Sequence, residues 1–330
     1  MKKFLSILKK LNPHIVIPVL ILLFMLGTVF FIMKWAKGVD SDYDPDLVED
    51  GYDIEVLDRI YYITSEQLGN HVSNNPKKVL CFGNAPFADD RDSENNLCHL
   101  MAQETGAQII NLSIPESYLS MLEPEENEEG DPRNCYSFYW LMCMGLTKDQ
   151  VLLKNYNTSV RGFSDIGDRV IDYLYEVDMN TVDTIVLMYD ASDYLDGRPK
   201  ETSDNVSNPH TFCGNMFAGI NLIQTLYPHI QIIIMSPTYA YSIDQNGEYV
   251  SSDIEKVNGD SLSSYAITQL NLCLVAEVTF IDNIYGSVHA DNANLYLSDN
   301  VHLNLEGRRL IASRFAKVFN SSWEKYETTH

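Results

Sequence analysis

The sequence predicts a doubly wound α/β fold, a flavodoxin-like three-layer sandwich around a five-stranded parallel sheet. Five short apolar segments recur along the body of the chain, and amphipathic helical patterns separate them. Segments of this length that are apolar on both faces are typical of buried parallel strands, whereas half-exposed hairpin strands alternate apolar and polar residues. Strands that alternate with helices give a sandwich whose ligand cleft lies at the carboxyl ends of the strands.

The predicted strands are rich in Ile and Val. They are residues 78–83 (KVLCFG), 108–112 (QIINL), 184–189 (TIVLMY), 231–236 (QIIIMS) and 278–281 (VTFI). Apolar residues at helical spacing predict three helices, within residues 163–177, 216–226 and 305–319. A further helix, at about residues 92–105, is expected after the first strand.

An apolar segment near the N-terminus predicts one transmembrane helix before this domain. Residues 15–33 carry no charge, and 19 residues at about 1.5 Å per residue cross roughly the 30 Å of a bilayer's hydrocarbon core. Four lysines precede the segment, so the positive-inside rule places the N-terminus in the cytoplasm. Because the apolar region is longer than that of a signal peptide and no clear cleavage site follows, an uncleaved signal anchor is favoured.

These features divide the chain into five parts. They are a basic cytoplasmic N-terminus (1–14), a transmembrane signal anchor (15–35), a juxtamembrane linker and lead-in (36–70), the α/β domain (71–322) and a C-terminal tail (323–330). We therefore expect a single-pass protein of the cell membrane whose C-terminal domain is extracytoplasmic. Its partners are expected to be the bilayer, through residues 15–35, and a cell-surface glycan or a membrane acyltransferase.

Charge excludes nucleic acid as a partner. The chain of 330 residues has a formal net charge of −23, and because residues 1–40 hold six lysines and one aspartate, the remainder carries −28. Phosphate binding needs a basic surface, which this body lacks. Outside the membrane the same charge repels anionic lipid headgroups and wall polymers, so a neutral or amino-bearing glycan is a better substrate candidate than an anionic polymer.

The six cysteines show no Cys-x-x-Cys spacing of a redox or zinc site. Cys81 lies in the first predicted strand, and Cys98 and Cys273 lie in helical patterns, where cysteine is usually a small buried apolar residue. Cys135 and Cys143 are the pair to test first for a disulfide. Free thiols are nevertheless the favoured interpretation for all six.

No cofactor and no metal site is predicted. The acidic segment 123–131 lacks the Asp-x-Asp-x-Asp-Gly order of an EF-hand and is interpreted as a solvated loop. A divalent cation held by side chains at the expected cleft is an alternative without any recognised ligand spacing. Its ligands would be Asp89, Asp190, Asp193, Asp299 and His302.

The motif that carries chemistry lies near the C-terminus, just before the last predicted helix. Asp299 precedes His302 by three residues, so its carboxylate can accept the Nδ1–H of the imidazole and leave Nε2 free as a general base. Asn304 is predicted to cap the helix that follows. The alternative interpretation is a capping aspartate beside a surface histidine.

Asp-x-x-His followed by x-Asn-x-x-Gly resembles the final sequence block of the SGNH/GDSL hydrolase family, whose fold is the same five-stranded α/β sandwich. The resemblance covers roughly residues 77–320 in the order of elements. It implies an esterase or acyltransferase in which His302 is the catalytic base and Asp299 orients it.

The first two blocks of that family are altered here. The nucleophilic serine corresponds to Ala85, which follows Asn84, so the resemblance implies that covalent catalysis by a serine at this position is absent. The glycine whose N–H contributes to the oxyanion hole corresponds to Ser113 or Glu116. Asn84, Ala85 and Ser113 are therefore predicted to contact substrate, and Ser113 is also a weaker candidate nucleophile than Ser192.

The third block brings further polar residues to the predicted cleft. Asp190 replaces the family's glycine, and Ser192 replaces the asparagine that donates to the oxyanion. Ser192 is also the best-placed alternative nucleophile, because it follows the third strand. Asp190, Asp193 and Tyr239 are predicted to bind substrate, since tyrosines beside carboxylates at a strand-end cleft commonly hold sugar rings.

Two functions are compatible with these residues. The first is an extracytoplasmic esterase or acyltransferase that acts on cell-surface glycans through Asp299 and His302. The second is a catalytically inactive SGNH-like domain that binds surface polysaccharide or a membrane acyltransferase. Ala85 favours the second function, whereas the intact Asp299–His302 pair favours the first, because a binding domain has no evident need for it.

Overall fold

A computed structural model of the protein describes residues 56–123, 130–254 and 256–329. Its centre is a five-stranded sheet in the order β2-β1-β3-β4-β7, in which every neighbouring pair is parallel. The strands are β1 (Lys78–Gly83), β2 (Gln108–Asn111), β3 (Thr184–Met188), β4 (Gln231–Met235) and β7 (Thr279–Ile281). A separate antiparallel hairpin consists of β5 (Tyr241–Ile243) and β6 (Tyr249–Ser251). The α/β fold with a five-stranded parallel sheet is thus confirmed.

Helices connect the strands and pack in two groups. The helices are α1 (Ser65–Leu68), α2 (Ala85–Ala88), α3 (Leu97–Thr105), α4 (Phe138–Thr147), α5 (Gln150–Ser159), α6 (Asp165–Glu176), α7 (Ser192–Leu195), α8 (Phe212–Leu226), α9 (Leu262–Ala276), α10 (Asn283–Gly286), α11 (Ala293–Tyr296) and α12 (Leu305–Thr329). One group pairs α3 with α12, and the other joins α4, α6, α8 and α9. The central strands β3 and β4 are buried along their whole length between such helices, as their uninterrupted apolar sequences require.

Two features of the helices differ in detail from the predicted pattern. The segment after β1 forms two helices, α2 and α3, because a turn at residues 89–96 separates them, whereas one helix over 92–105 was expected. Phe163 precedes α6 and is 57% exposed, so it does not belong to the buried face of that helix. Asn304 does cap α12: its side chain accepts a hydrogen bond from the N–H of Gly307 at 3.0 Å.

The segment before the expected domain boundary at residue 71 is part of the α/β unit. Arg59 forms an antiparallel bridge with Phe280 of β7 through two backbone hydrogen bonds of 2.9 and 2.8 Å. Arg314 clamps the carboxylate of Asp58 at 2.8 and 2.9 Å. At the other end α12 continues to residue 329, and Trp323 is buried. The backbone of residues 57–61 therefore covers the outer edge of β7.

The predicted anchor at residues 15–35 lies outside the described residues. Within residues 56–123, 130–254 and 256–329, no helix is both long and apolar enough to cross a membrane. All six cysteines fall in these ranges and are free thiols. Cys81, Cys98 and Cys273 are buried, as their apolar surroundings in the sequence predicted.

Gly83 ends β1 at a point where no side chain fits. A Cβ at this position would lie 1.8 Å from the carbonyl oxygen of Met188, its partner in β3. We expect Gly83→Ala to lower the free energy of unfolding by about 3 kcal/mol, because the two strands would have to separate next to the strand-end cleft. Denaturant unfolding measures this effect. Gly130→Ala is the matched control, since its Cβ meets no atom within 4 Å, and an equal loss in both variants would contradict the steric explanation.

Candidate functional site

The carboxyl ends of the two central strands β1 and β3 meet through a side-chain pair. Asn84 follows β1 and Asp190 follows β3, and both are buried. The Asn84 amide donates to Asp190 Oδ1 at 2.8 Å, while its carbonyl oxygen accepts from the Asp190 N–H at 2.9 Å. The N–H of Ser192 donates to the same Oδ1 at 2.9 Å. This network orients the first residues of α2 and α7, which are Ala85 and Ser192.

The loop before α12 supplies an aspartate–histidine pair. Asp299 Oδ2 lies 2.6 Å from His302 Nδ1, and Asp299 Oδ1 accepts the backbone N–H groups of Val301 and His302 at 2.9 and 2.8 Å. A bridge between Leu297 and Leu303 closes the loop that holds the pair. Because the carboxylate is oriented by two backbone donors, it orients the imidazole in turn and leaves Nε2 directed away from Asp299.

The strand ends and this loop enclose a cleft of about 260 Å³. Its lining residues are Asn84, Ala85, Glu116, Ser117, Tyr118, Arg133, Asp190, Ser192 and His302. The structure therefore brings together five of the nine residues predicted from the sequence. A sixth, Asp299, does not line the cleft but is hydrogen-bonded to His302, which does. Ala85, which the sequence resemblance aligned with the nucleophilic serine, stands on the cleft wall.

Two residues of the cleft wall have a backbone N–H without a hydrogen-bond partner among the described residues. The N–H groups of Ala85 and Glu116 donate no hydrogen bond to any group in the described part of the chain. Glu116 has a positive φ of 57°, a conformation that glycine adopts without strain. Of the two residues considered for the family's oxyanion glycine, Glu116 is thus the one with glycine-like geometry and a place on the cleft wall. A developing oxyanion needs such unpaired N–H donors.

Carboxylates surround His302 on several sides. Partial burial lowers the pKa of His302, but the hydrogen bond and charge of Asp299, with the charges of Asp89 and Asp190, outweigh burial and raise the pKa above its ordinary value. Burial raises the pKa of Asp89 although His302 and Arg308 act against it. His302 is therefore a stronger base than a free imidazole and is protonated over a wider range of acidic pH.

The raised pKa of His302 predicts the pH dependence of any reaction that uses this residue as a base. Only the neutral imidazole accepts a proton, so kcat/KM should rise with pH, with a midpoint above the ordinary histidine pKa of about 6.5. Asp299→Asn should move the midpoint to lower pH, because it removes the charge that stabilises the imidazolium. A pH–rate profile of both proteins tests this. A midpoint that stays in place in Asp299→Asn would contradict it.

Three predicted substrate residues do not line the cleft. Ser113 is fully buried, and its hydroxyl donates to Asn111 at 2.6 Å and accepts from Arg91 at 2.7 Å. Tyr239 is buried and its hydroxyl donates to Ser251 on β6 at 2.9 Å. These bonds hold loops in place, and neither residue lines the cleft.

Asp193 is the third predicted residue that does not line the cleft. Its carboxylate is fully buried, accepts the N–H groups of Leu119 and Ser120 at 2.9 Å each, and also accepts the Ser120 hydroxyl. Because both oxygens accept hydrogen bonds, Asp193 holds the loop after β2 against α7. Its role is structural because a satisfied buried carboxylate has no oxygen left for a ligand.

Three cleft residues were not expected from the sequence. Ser117 and Tyr118 follow Glu116 on the loop after β2, so their position after a strand was the available signal. Arg133 comes from a one-turn 3₁₀ helix, Pro132–Tyr136, which no sequence pattern connected with the cleft. Its guanidinium lies 5.2 Å from the centre of the Tyr118 ring and forms a bidentate pair with Asp131.

The alternative of a divalent-cation site finds no support in the geometry. Within the residues that the structure describes, no group of three or more His, Cys, Asp or Glu side chains is arranged to hold a metal ion. Asp193 is directed to the backbone of Leu119 and Ser120, and Asp299 is paired with His302.

Comparison with known proteins supports the fold predicted from the sequence. No protein-family model matches the chain, and no curated protein matches it. One solved structure that is 17% identical has a TM-score of 0.53 and covers 76% of this chain and 99% of its own. A carbohydrate acetylesterase from Sinorhizobium meliloti is 14% identical with a TM-score of 0.43, and the match covers 74% of this chain and 99% of the esterase. A protein from Slackia heliotrinireducens described as a proposed SGNH hydrolase is 14% identical with a TM-score of 0.42, and the match covers 74% of this chain and 100% of that protein. The solved structure with the TM-score of 0.53 shares the α/β fold of this chain over most of both chains.

Proposed function

We propose that this protein is an esterase or acyltransferase in which His302 activates a water or a substrate hydroxyl in place of an enzyme serine at position 85. The observation that carries the proposal is the Asp299–His302 pair on a cleft whose wall also holds the unpaired N–H groups of Ala85 and Glu116. A base and an oxyanion-binding group are the two components that acyl transfer needs besides a nucleophile.

The reaction would proceed without an acyl-enzyme at Ala85. His302 Nε2 takes the proton of the attacking hydroxyl, and the oxygen of that hydroxyl bonds to the acyl carbon. The carbonyl oxygen becomes an oxyanion, which the N–H groups of Ala85 and Glu116 stabilise. The ester C–O bond then breaks, and the imidazolium returns the proton to the departing alkoxide. Water as the attacking group gives hydrolysis, and a sugar hydroxyl gives acyl transfer.

Ser192 has a supporting place in this scheme. It lines the cleft beside His302 at the start of α7. Its hydroxyl can donate to substrate where the family uses an asparagine amide, and it is also the alternative nucleophile on the cleft wall. Labelling by a fluorophosphonate that disappears in Ser192→Ala would assign the nucleophile to this serine.

Substrate and location extend the proposal. We place the α/β domain outside the cell membrane on an anchor formed by residues 15–35, with cell-surface glycan esters as substrates. The basic N-terminus and the uncharged segment 15–33 support the anchor, and the acidic body favours neutral or amino-bearing glycans over anionic ones. Protease treatment of intact cells should digest the domain and spare the N-terminus.

Ala85 favours a second candidate function. A methyl group on the cleft wall at the nucleophile's position is what a domain that binds surface polysaccharide or a membrane acyltransferase, without catalysis, would retain. In that case His302 and Asp299 would contribute hydrogen bonds to a ligand.

Turnover of p-nitrophenyl acetate by the full chain in detergent separates the two functions. The proposed function predicts turnover above the rate of buffer alone, with no covalent labelling by a fluorophosphonate. Absence of turnover, together with saturable binding of a glycan, would overturn it in favour of the binding domain.

A further inference from the structure

One of the two carboxylate oxygens of Asp190 has no hydrogen-bond partner among the described residues. The residue is only 3% exposed, and both donors that reach its carboxylate, Asn84 and the N–H of Ser192, bond to Oδ1. Among the described residues no hydrogen bond reaches Oδ2, and this oxygen is not among the fully enclosed atoms without a partner. Because Asp190 lines the cleft, Oδ2 is the atom that faces it.

Oδ2 can be reached from the cleft while the rest of the side chain is buried, so it can accept a hydrogen bond from a ligand that enters the cleft. Removing a charged group from water costs several kcal/mol, which a hydrogen-bonded cation recovers. Asp193, three residues after Asp190 at the same strand end, shows the contrast, because donors occupy both of its oxygens. The sequence thus places two aspartates after β3, and of these two Asp190 is the one with a carboxylate oxygen available to a ligand.

The charges around Asp190 select a cation. Glu116 is a second carboxylate on the cleft wall, and Asp89 adds negative charge close to Asp190 and His302. Arg133 is the arginine that lines the cleft within the part of the chain that the structure describes, and it is already paired with Asp131 at 2.7–3.1 Å. An anionic group would therefore be repelled where a positively charged donor is attracted.

We propose that Asp190 binds an ammonium group of the substrate, so that the cleft selects esters that carry a protonated amine. This inference rests on the proposed function and names its substrate class. The amine can belong to an aminoacyl group or to an amino sugar, since both present an ammonium with three N–H donors to a carboxylate. Asp190 is thus a specificity-determining residue in addition to orienting α7.

Binding of matched pairs of a neutral and a cationic small molecule tests the inference without any turnover. Glycinamide and propionamide have the same shape and differ by an ammonium in place of a methyl group, and glucosamine and glucose form the corresponding sugar pair. For the full chain in detergent, at a pH at which the amines are protonated, calorimetric titration should show the cationic member of one pair binding at least about tenfold more tightly. The pair that shows the preference identifies the source of the amine.

Two variants assign the preference to a residue. Asp190→Asn keeps an oxygen for Asn84 and Ser192 but removes the charge, and it should abolish the preference. Glu116→Gln removes the exposed carboxylate of the same cleft and should weaken the preference less than threefold, about the effect of a solvent-screened pair. Equal binding within both pairs by the unmodified chain, or a preference that survives Asp190→Asn, would overturn the inference.

The outcomes also separate this inference from the proposed function. Ester turnover without a preference for the ammonium overturns the inference alone. A preference without ester turnover overturns the hydrolase proposal and leaves a domain that binds amines. If Asp190→Asn does not fold, the unmodified chain and Glu116→Gln decide: a preference kept in Glu116→Gln supports Asp190, and one lost there overturns the inference.

Discussion

His302→Ala should lower ester turnover by about 10²–10⁴-fold, the usual contribution of a positioned general base. The loss is expected in kcat/KM, because His302 Nε2 is the group that takes the proton of the attacking hydroxyl in the proposed mechanism. Asp299 is held by two backbone N–H groups, so the loop before α12 should keep its shape without the imidazole. Imidazole added to the buffer should restore part of the activity, since the cavity left by the ring is open to the cleft.

His99→Ala is the matched control. His99 lies on α3, is exposed, and has its Nδ1 within 2.6 Å of the Ser93 carbonyl oxygen outside the cleft. It should retain full turnover. Equal activity of His302→Ala and the unmodified chain would rule out His302 as the base and with it the proposed mechanism.

Ala85→Ser should create a covalent route that the natural chain lacks. Ala85 is the first residue of α2, half-buried on the cleft wall, so the added hydroxyl meets the same space that His302 faces. A hydroxyl fixed in this position replaces a mobile water, and turnover of p-nitrophenyl acetate should become faster by roughly 10²-fold. Mass spectrometry after mixing with p-nitrophenyl acetate or a fluorophosphonate should detect an adduct on residue 85.

Ala88→Ser controls for the added hydroxyl. Ala88 is the last residue of the same helix and does not line the cleft, so its variant should gain neither adduct nor rate. If activity appears only in Ala85→Ser and is absent from the natural chain, the protein is a disabled member of this fold and the second function, a binding domain, is correct.

The sheet was predictable because its signal is local. Each strand is a short segment apolar on both faces, and the segments predicted at residues 78–83, 184–189 and 231–236 differ from the observed strands by at most one residue. The Asp299–His302 pair was also local, since a separation of three residues brings the two side chains together within one turn of chain. Asn304 acts in the same way, through a neighbour at its own helix end.

The direction of each polar side chain was not predictable from its position. Ser113, Asp193 and Tyr239 all follow strands, as residues of a strand-end cleft do, yet their polar atoms bond to Asn111, to the loop at Leu119 and Ser120, and to Ser251. These partners lie two to 74 residues away. Position after a strand places a residue at the correct edge of the sheet but does not say which way the chain turns there.

The sequence by itself determined the parallel α/β architecture and the histidine–aspartate pair, because both depend on patterns within a few residues. Only the tertiary structure decided that Arg133 joins the cleft, that Glu116 rather than Ser113 holds the glycine-like position, and that Asp190 keeps an unpaired oxygen while Asp193 does not. Those properties depend on which distant donors occupy each oxygen. The physical reason is that a buried polar group must be satisfied, and its partner is set by packing between elements far apart in the chain.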